Sequence, residues 1–172
     1  LPARLPIGAK KESPLDAMKG GIAFVRDREG MLALIVLAFL MTLLGLPLVT
    51  FLPVMARDVL HLGADAYSTL LSISGLGSVT GALIVASMSN IKHKGRAALL
   101  ILTLLGGITI AFSASKIFWV SCVILFLGGA ALISVFTLVA SLVQLQTTDD
   151  MRGRVMSVYN VAFRGGMPFG NL

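Results

Sequence analysis

"IFWVSCVILFLGGAALISVFTLVASLV", residues 117–143, runs for 27 residues without one Asp, Glu, Lys, Arg or His. At about 1.5 Å per residue, a helix of that length more than covers the roughly 30 Å of a bilayer's hydrocarbon core. A barrel strand needs only about 10 residues of alternating polarity, and this run does not alternate. Three more charge-free runs precede it, at about 31–53, 66–89 and 97–115. Each is long enough to span as a helix, and a fifth apolar segment starts near Val155 and is cut short, occupying 155–172. The fold class is an all-α membrane protein, a polytopic transmembrane helix bundle.

Composition agrees. Of the chain, 56% is hydrophobic and 13% charged, with mean hydropathy +0.93. A soluble domain carries about a quarter charged residues, so a soluble surface could not be built here. The net charge is +6, but the basic residues sit in short segments between apolar runs rather than as a patch on a polar face. Nucleic-acid binding is therefore not expected. Cys122 lies within an apolar run and reads as packing.

Lys and Arg alternate along the loops. Arg4, Lys10, Lys11, Lys19, Arg26 and Arg28 precede the first span, and the next loop has only Arg57. Lys92, Lys94 and Arg96 follow the second span, Lys116 stands alone after the third, and Arg152 and Arg154 follow the fourth. By the positive-inside rule the rich loops are cytoplasmic. Tyr67 and Trp119 then fall at the outer interface, where amphipathic rings are favoured. Residues 1–30 form a cytoplasmic segment, and residues 31–172 the transmembrane bundle. Within the former, Ser13, Pro14 and Asp16 have the pattern of a capped helix start. Leu15, Met18, Ile22 and Val25 share one face, as in an amphipathic helix lying at the interface; Gly20 and Gly21 weaken that helix.

Several residues stand out within the spans. Ser74, Gly77, Ser78 and Gly81 make a small face in the second, with a G-x-x-x-G that lets two backbones approach. Pro47 deprives the Leu43 carbonyl of its helical donor and should kink the first. Ser134, Thr137 and Ser141 form a stripe on the fourth that either lines an aqueous cavity or hydrogen-bonds between helices. Arg164 lies ten residues beyond Arg154, about 15 Å along a helix and near mid-membrane. With Ser157 and Asn160 it shares a face at i, i+3 and i+7. Either that face turns to a cavity, or the arginine snorkels to the headgroups.

Catalytic chemistry has no foothold. His61 and His93 are in loops, no Cys or His pair has metal-ligand spacing, and no P-loop is present. Neither a metal site nor a cofactor is expected, and the chain does not read as an enzyme.

"QTTDDMRGRVMSVYNVAFRGGMPFG", residues 146–170, resembles the cytoplasmic loop and eleventh-helix entry of major facilitator superfamily transporters. The nearest branch is that of enterobactin-exporter-like, drug-efflux-like bacterial permeases. Arg152, Gly153, Arg154 and Val155, then Pro168 and Gly170, carry the match. In the loop after the second span only Gly95 and Arg96 fit the superfamily's repeated motif, and Lys92 stands where an Asp is usual. The resemblance implies the C-terminal half of a twelve-helix fold: central loop, helices seven to ten and part of eleven. Its partners would be the lipid bilayer, an N-terminal six-helix half of the same polypeptide and a small-molecule substrate. The implied function is secondary active efflux of small organic molecules such as drugs or siderophores by alternating access, in the bacterial inner membrane. The four complete spans lack a carboxylate, so a proton-coupling acid would lie in the other half. The alternative is the membrane subunit of a multi-component permease, against which the short third loop argues.

Cysteines placed at Lys94 and Arg152 should react with impermeant maleimide only from the cytoplasmic side, and one at Asp65 only from outside. Labelling of Lys94 and Asp65 positions from the same side would mean that the second run does not cross.

Overall fold

A computed structural model of the 172-residue chain describes residues 14–87 and 94–170, with side chains except at 14–17 and 170. Every element in these residues is helical. In order they are α1 (Pro14–Arg26), α2 (Glu29–Thr50), α3 (Leu52–Val54), a π-helical turn (Met55–Val59), α4 (Ala64–Ser87), α5 (Lys94–Ala114), α6 (Phe118–Leu145) and α7 (Arg152–Gly170). The stretches 29–59, 64–87, 94–114 and 118–145 are long and apolar enough to cross a membrane. Helices are the only open-ended answer there, since lipid offers no partner for a free backbone N–H or C=O.

The first span outruns its expected end. Pro47 stays inside α2, and Phe51 N–H donates to the Pro47 carbonyl at 3.0 Å, so the ladder resumes one turn later. Pro53 does not stop the helix because it sits at the start of α3, where no N–H is needed. The π turn follows, and the chain reverses at His61, whose φ of 53° is left-handed. Leu62 N–H closes the end by donating to the Ala56 carbonyl at 2.9 Å.

α6 is the hub, touching α2, α4 and α5. Half of its most apolar window is buried, against 22% for α4. The α4–α6 seam is backbone against backbone. A Cβ on Gly77 would collide with the Phe126 carbonyl, one on Gly81 with the Ala130 carbonyl, and one on Gly129 with the Ser74 carbonyl. With such contact, hydroxyls reach across: Ser78 Oγ lies 3.0 Å from the Ser74 carbonyl and 3.3 Å from that of Gly129. Ser134 Oγ donates to the Gly81 carbonyl at 3.4 Å. The α2–α6 crossing instead seats side chains over glycines, Leu132 over Gly45 and Leu48 over Gly128. α7 packs along α2, where Gly166 leaves room for the Thr42 side chain and the Phe39 carbonyl.

The outward surface of α5 is Leu99, Leu100, Leu104 and Ile110, all exposed, as for a helix facing lipid tails. α1 docks differently from the helical-wheel reading. Gly21 and Val25 are buried, whereas Ile22 is 48% exposed. The cap at Ser13, the side chains of Leu15 and Asp16, Lys92 and His93 lie outside the described residues.

Gly77→Ala and Gly81→Ala should each destabilise the purified protein by about 1–3 kcal/mol, the usual cost of overpacking. Gly75→Ala, on the same helix with nothing within 4 Å of the new methyl, should be neutral. Thermal melting in detergent decides it; equal melting points for all three would refute the seam.

Candidate functional site

α7 differs from the other long helices in carrying three arginines, Arg152, Arg154 and Arg164. One face is buried and the other exposed, with Val161 and Phe169 beside the polar residues of the exposed face. Val155, Tyr159 and Gly166 are buried, while Ser157, Asn160 and Arg164 are exposed together. Ser157 Oγ donates back to the Gly153 carbonyl at 2.9 Å. Among the described residues, Asn160 and Arg164 side chains have no hydrogen-bond or ion-pair partner. Pro168 lies inside α7 and has no N–H to offer the Arg164 carbonyl one turn earlier, which adds an acceptor near the same face. Gly165 and Gly166 do not interrupt the helix; Gly166 is a packing residue against α2, and Gly165 meets nothing within 4 Å.

The α6 hydroxyl stripe divides. Ser134 is buried in the seam with α4. Thr137 and Ser141 line a groove of about 460 Å³ together with Phe136, Ala140, Gln144 and Arg152. On their other side they border a second recess of about 250 Å³, against Ala82, Ala86 and Lys94. Deeper, between α2, α6 and α7, lies an apolar cavity of about 230 Å³ walled by Met41, Leu46, Leu132, Phe136 and Phe163. The Phe136 and Phe163 rings are 5.5 Å apart, and Phe163 stacks on Tyr159 at 6.3 Å. None of these aromatics was distinguishable from core in the sequence, because each sits among other apolar residues.

The basic end of the bundle is tied by contacts that the sequence signalled only as glycines. A Cβ on Gly21 would lie 2.7 Å from the Arg154 carbonyl, and one on Gly20 would lie 3.3 Å from the Arg154 guanidinium. α1 thus rests on the first turn of α7, at the Arg152–Gly153–Arg154 motif. Arg28 donates to the Gln146 carbonyl at 3.1 Å while its guanidinium lies over the Phe24 ring at 4.4 Å. A cation on the last carbonyls of α6 suits the negative end of that helix. Arg152 pairs with Asp149 at 2.8 Å. A hydrogen bond from Thr148 holds the Asp150 carboxyl below the usual carboxylate range, with Arg154 adding to the effect. Gly95, at the start of α5, meets nothing within 4 Å, and Arg96 is exposed.

A family described as "transmembrane secretion effector" matches residues 5–172. No curated protein and no solved structure matches the chain.

Gly21→Val should push α1 off α7 at a cost of about 1–3 kcal/mol, seen as faster hydrogen exchange of the α1 amides. Gly153→Ala has open space and should leave α1 protected. Unchanged exchange in Gly21→Val would show that α1 is not held by this contact.

Proposed function

The chain belongs to the transmembrane secretion effector family, transporters of the major facilitator type, and on that premise we propose that it is a secondary active exporter of small organic molecules. It works by alternating access, with this bundle rocking against a second six-helix half about a site near the bilayer midplane. The basic ends of the helices face the cytoplasm and the membrane is the bacterial inner membrane.

One observation carries this reading. Ser157, Asn160 and Arg164 are exposed on one face of α7, whereas the outward surface of α5 is chiefly leucine and isoleucine. A charge at mid-membrane costs at least about 2.5 kcal/mol on insertion scales. That cost is avoided if the face lines a water-filled cavity. Arg164 would then meet an acidic group of the other half or of the substrate. The glycine seam of α4 and α6 supports the mechanism, because it makes this bundle rigid enough to move as a body.

In the full-length transporter, Arg164→Ala should insert normally but lose most efflux of a panel of fluorescent organic anions and cations from cells. Arg164→Lys keeps the charge without the planar fork and should retain part of it. Wild-type efflux by the alanine variant would leave only a snorkelling arginine.

A further inference from the structure

One side of α1 is not used by the bundle. Gly21 and Val25 are buried, and Gly21 lies beside both Arg154 and Val158. α1 is thus held level with the first two turns of α7, at the depth where that helix enters the membrane. Its other side presents Lys19, Ile22, Ala23 and Arg26, all exposed, around a shallow hollow of about 430 Å³ that Asp27 borders. The two cations differ from their basic neighbours. Arg28 is held by the Gln146 carbonyl, Arg152 by Asp149, and Arg154 reaches the Met151 sulfur. Lys19 and Arg26 have no hydrogen-bond or ion-pair partner among the described residues, Asp27 included. They stand seven residues apart, about 10 Å along the helix, with Ile22 48% exposed between them. Such a face fits neither bulk water nor acyl chains alone. Long basic side chains reach from an apolar surface outward to the headgroups, while an isoleucine between them is stabilised at the acyl boundary.

We propose that this face of α1 docks on anionic glycerophospholipid. Lys19 and Arg26 meet the phosphates of neighbouring headgroups, and Ile22 lies among the glycerol and first acyl carbons. Charge and depth both match, since basic side chains beside a span are drawn to a negatively charged lipid surface. Bound lipid then holds α1 in place, and the Gly21 contact and Arg28 extend that hold to α7 and α6. The docking requires only that the bundle sit in a membrane; it goes beyond the transport reading and does not rest on it.

Hydrogen exchange of the full-length protein in nanodiscs tests this. Discs of phosphatidylcholine are compared with discs in which part of it is replaced by phosphatidylglycerol of the same acyl chains. Exchange of the α1 amides should slow by about five- to twenty-fold in the anionic discs, at roughly fivefold per basic side chain near such a surface. Salt at about 1 M should remove that slowing, because exposed charges are then screened within a few ångströms. Lys19→Gln with Arg26→Gln should abolish it as well, and should leave exchange in phosphatidylcholine discs as in the wild type, since neither side chain holds α1 on α7. Ile22→Ser should speed exchange in both kinds of disc. Equal α1 exchange of the wild type in the two kinds of disc, or slowing that persists in the double variant, overturns the proposal. Equal slowing by glycerol phosphate added to phosphatidylcholine discs would make the face a site for free phosphate and overturns the lipid as its occupant.

Discussion

Direct contact between the backbones of α4 and α6 is the constraint on which the rest of the bundle depends. In a bilayer, lipid tails are as apolar as leucine, so hydrophobicity does not draw helices together; close packing and interhelical hydrogen bonds must. Gly77 and Gly81 sit against the Phe126 and Ala130 carbonyls, and Gly129 answers against Ser74. With α4 fixed to one side of α6, α5 and α2 occupy its other faces, and α7 is carried on α2. That order leaves the polar face of α7 unpacked by any helix of this bundle. The site is a consequence of the seam at one remove.

The same logic explains the basic end. A helix lying at an interface gains little from burial unless it docks on something. α1 does so through Gly20 and Gly21, whose missing side chains bring its backbone onto Arg154. Arg28 then binds the end of α6. The segment before the spans is therefore joined to both α6 and α7, the two helices that hold the hydroxyl groove and the polar face. Any rocking of this bundle would carry α1 with it.

How much of this was legible in the residues depends on what each signal encodes. Charge-free runs encode length and environment, and four spans were readable from them. The small face of α4 was readable too, because the absence of side chains has few other uses. A helical wheel encodes a face and not a neighbour, so Ser134 read together with Thr137 and Ser141, although it is turned into the α4 seam. The charge-free run stops at Pro53, yet the helix goes on, because that proline falls at a first turn where its missing N–H does no harm. Gly20 and Gly21 read as weakness for want of a partner in view. Phe136 and Phe163 carried no signal at all, since an aromatic within an apolar run is the same letter whether it fills a core or walls a cavity.

The central claim is that the face of α7 bearing Asn160 meets water inside a membrane-embedded bundle. In a Cys122→Ala background, a cysteine at Asn160 should react readily with a charged, membrane-impermeant methanethiosulfonate. A cysteine at Leu100, on the outward surface of α5 with 72% exposure, should not, because lipid covers it. Reaction at Asn160 alone is the result the account predicts; an inert Asn160 position in folded, inserted protein would contradict it.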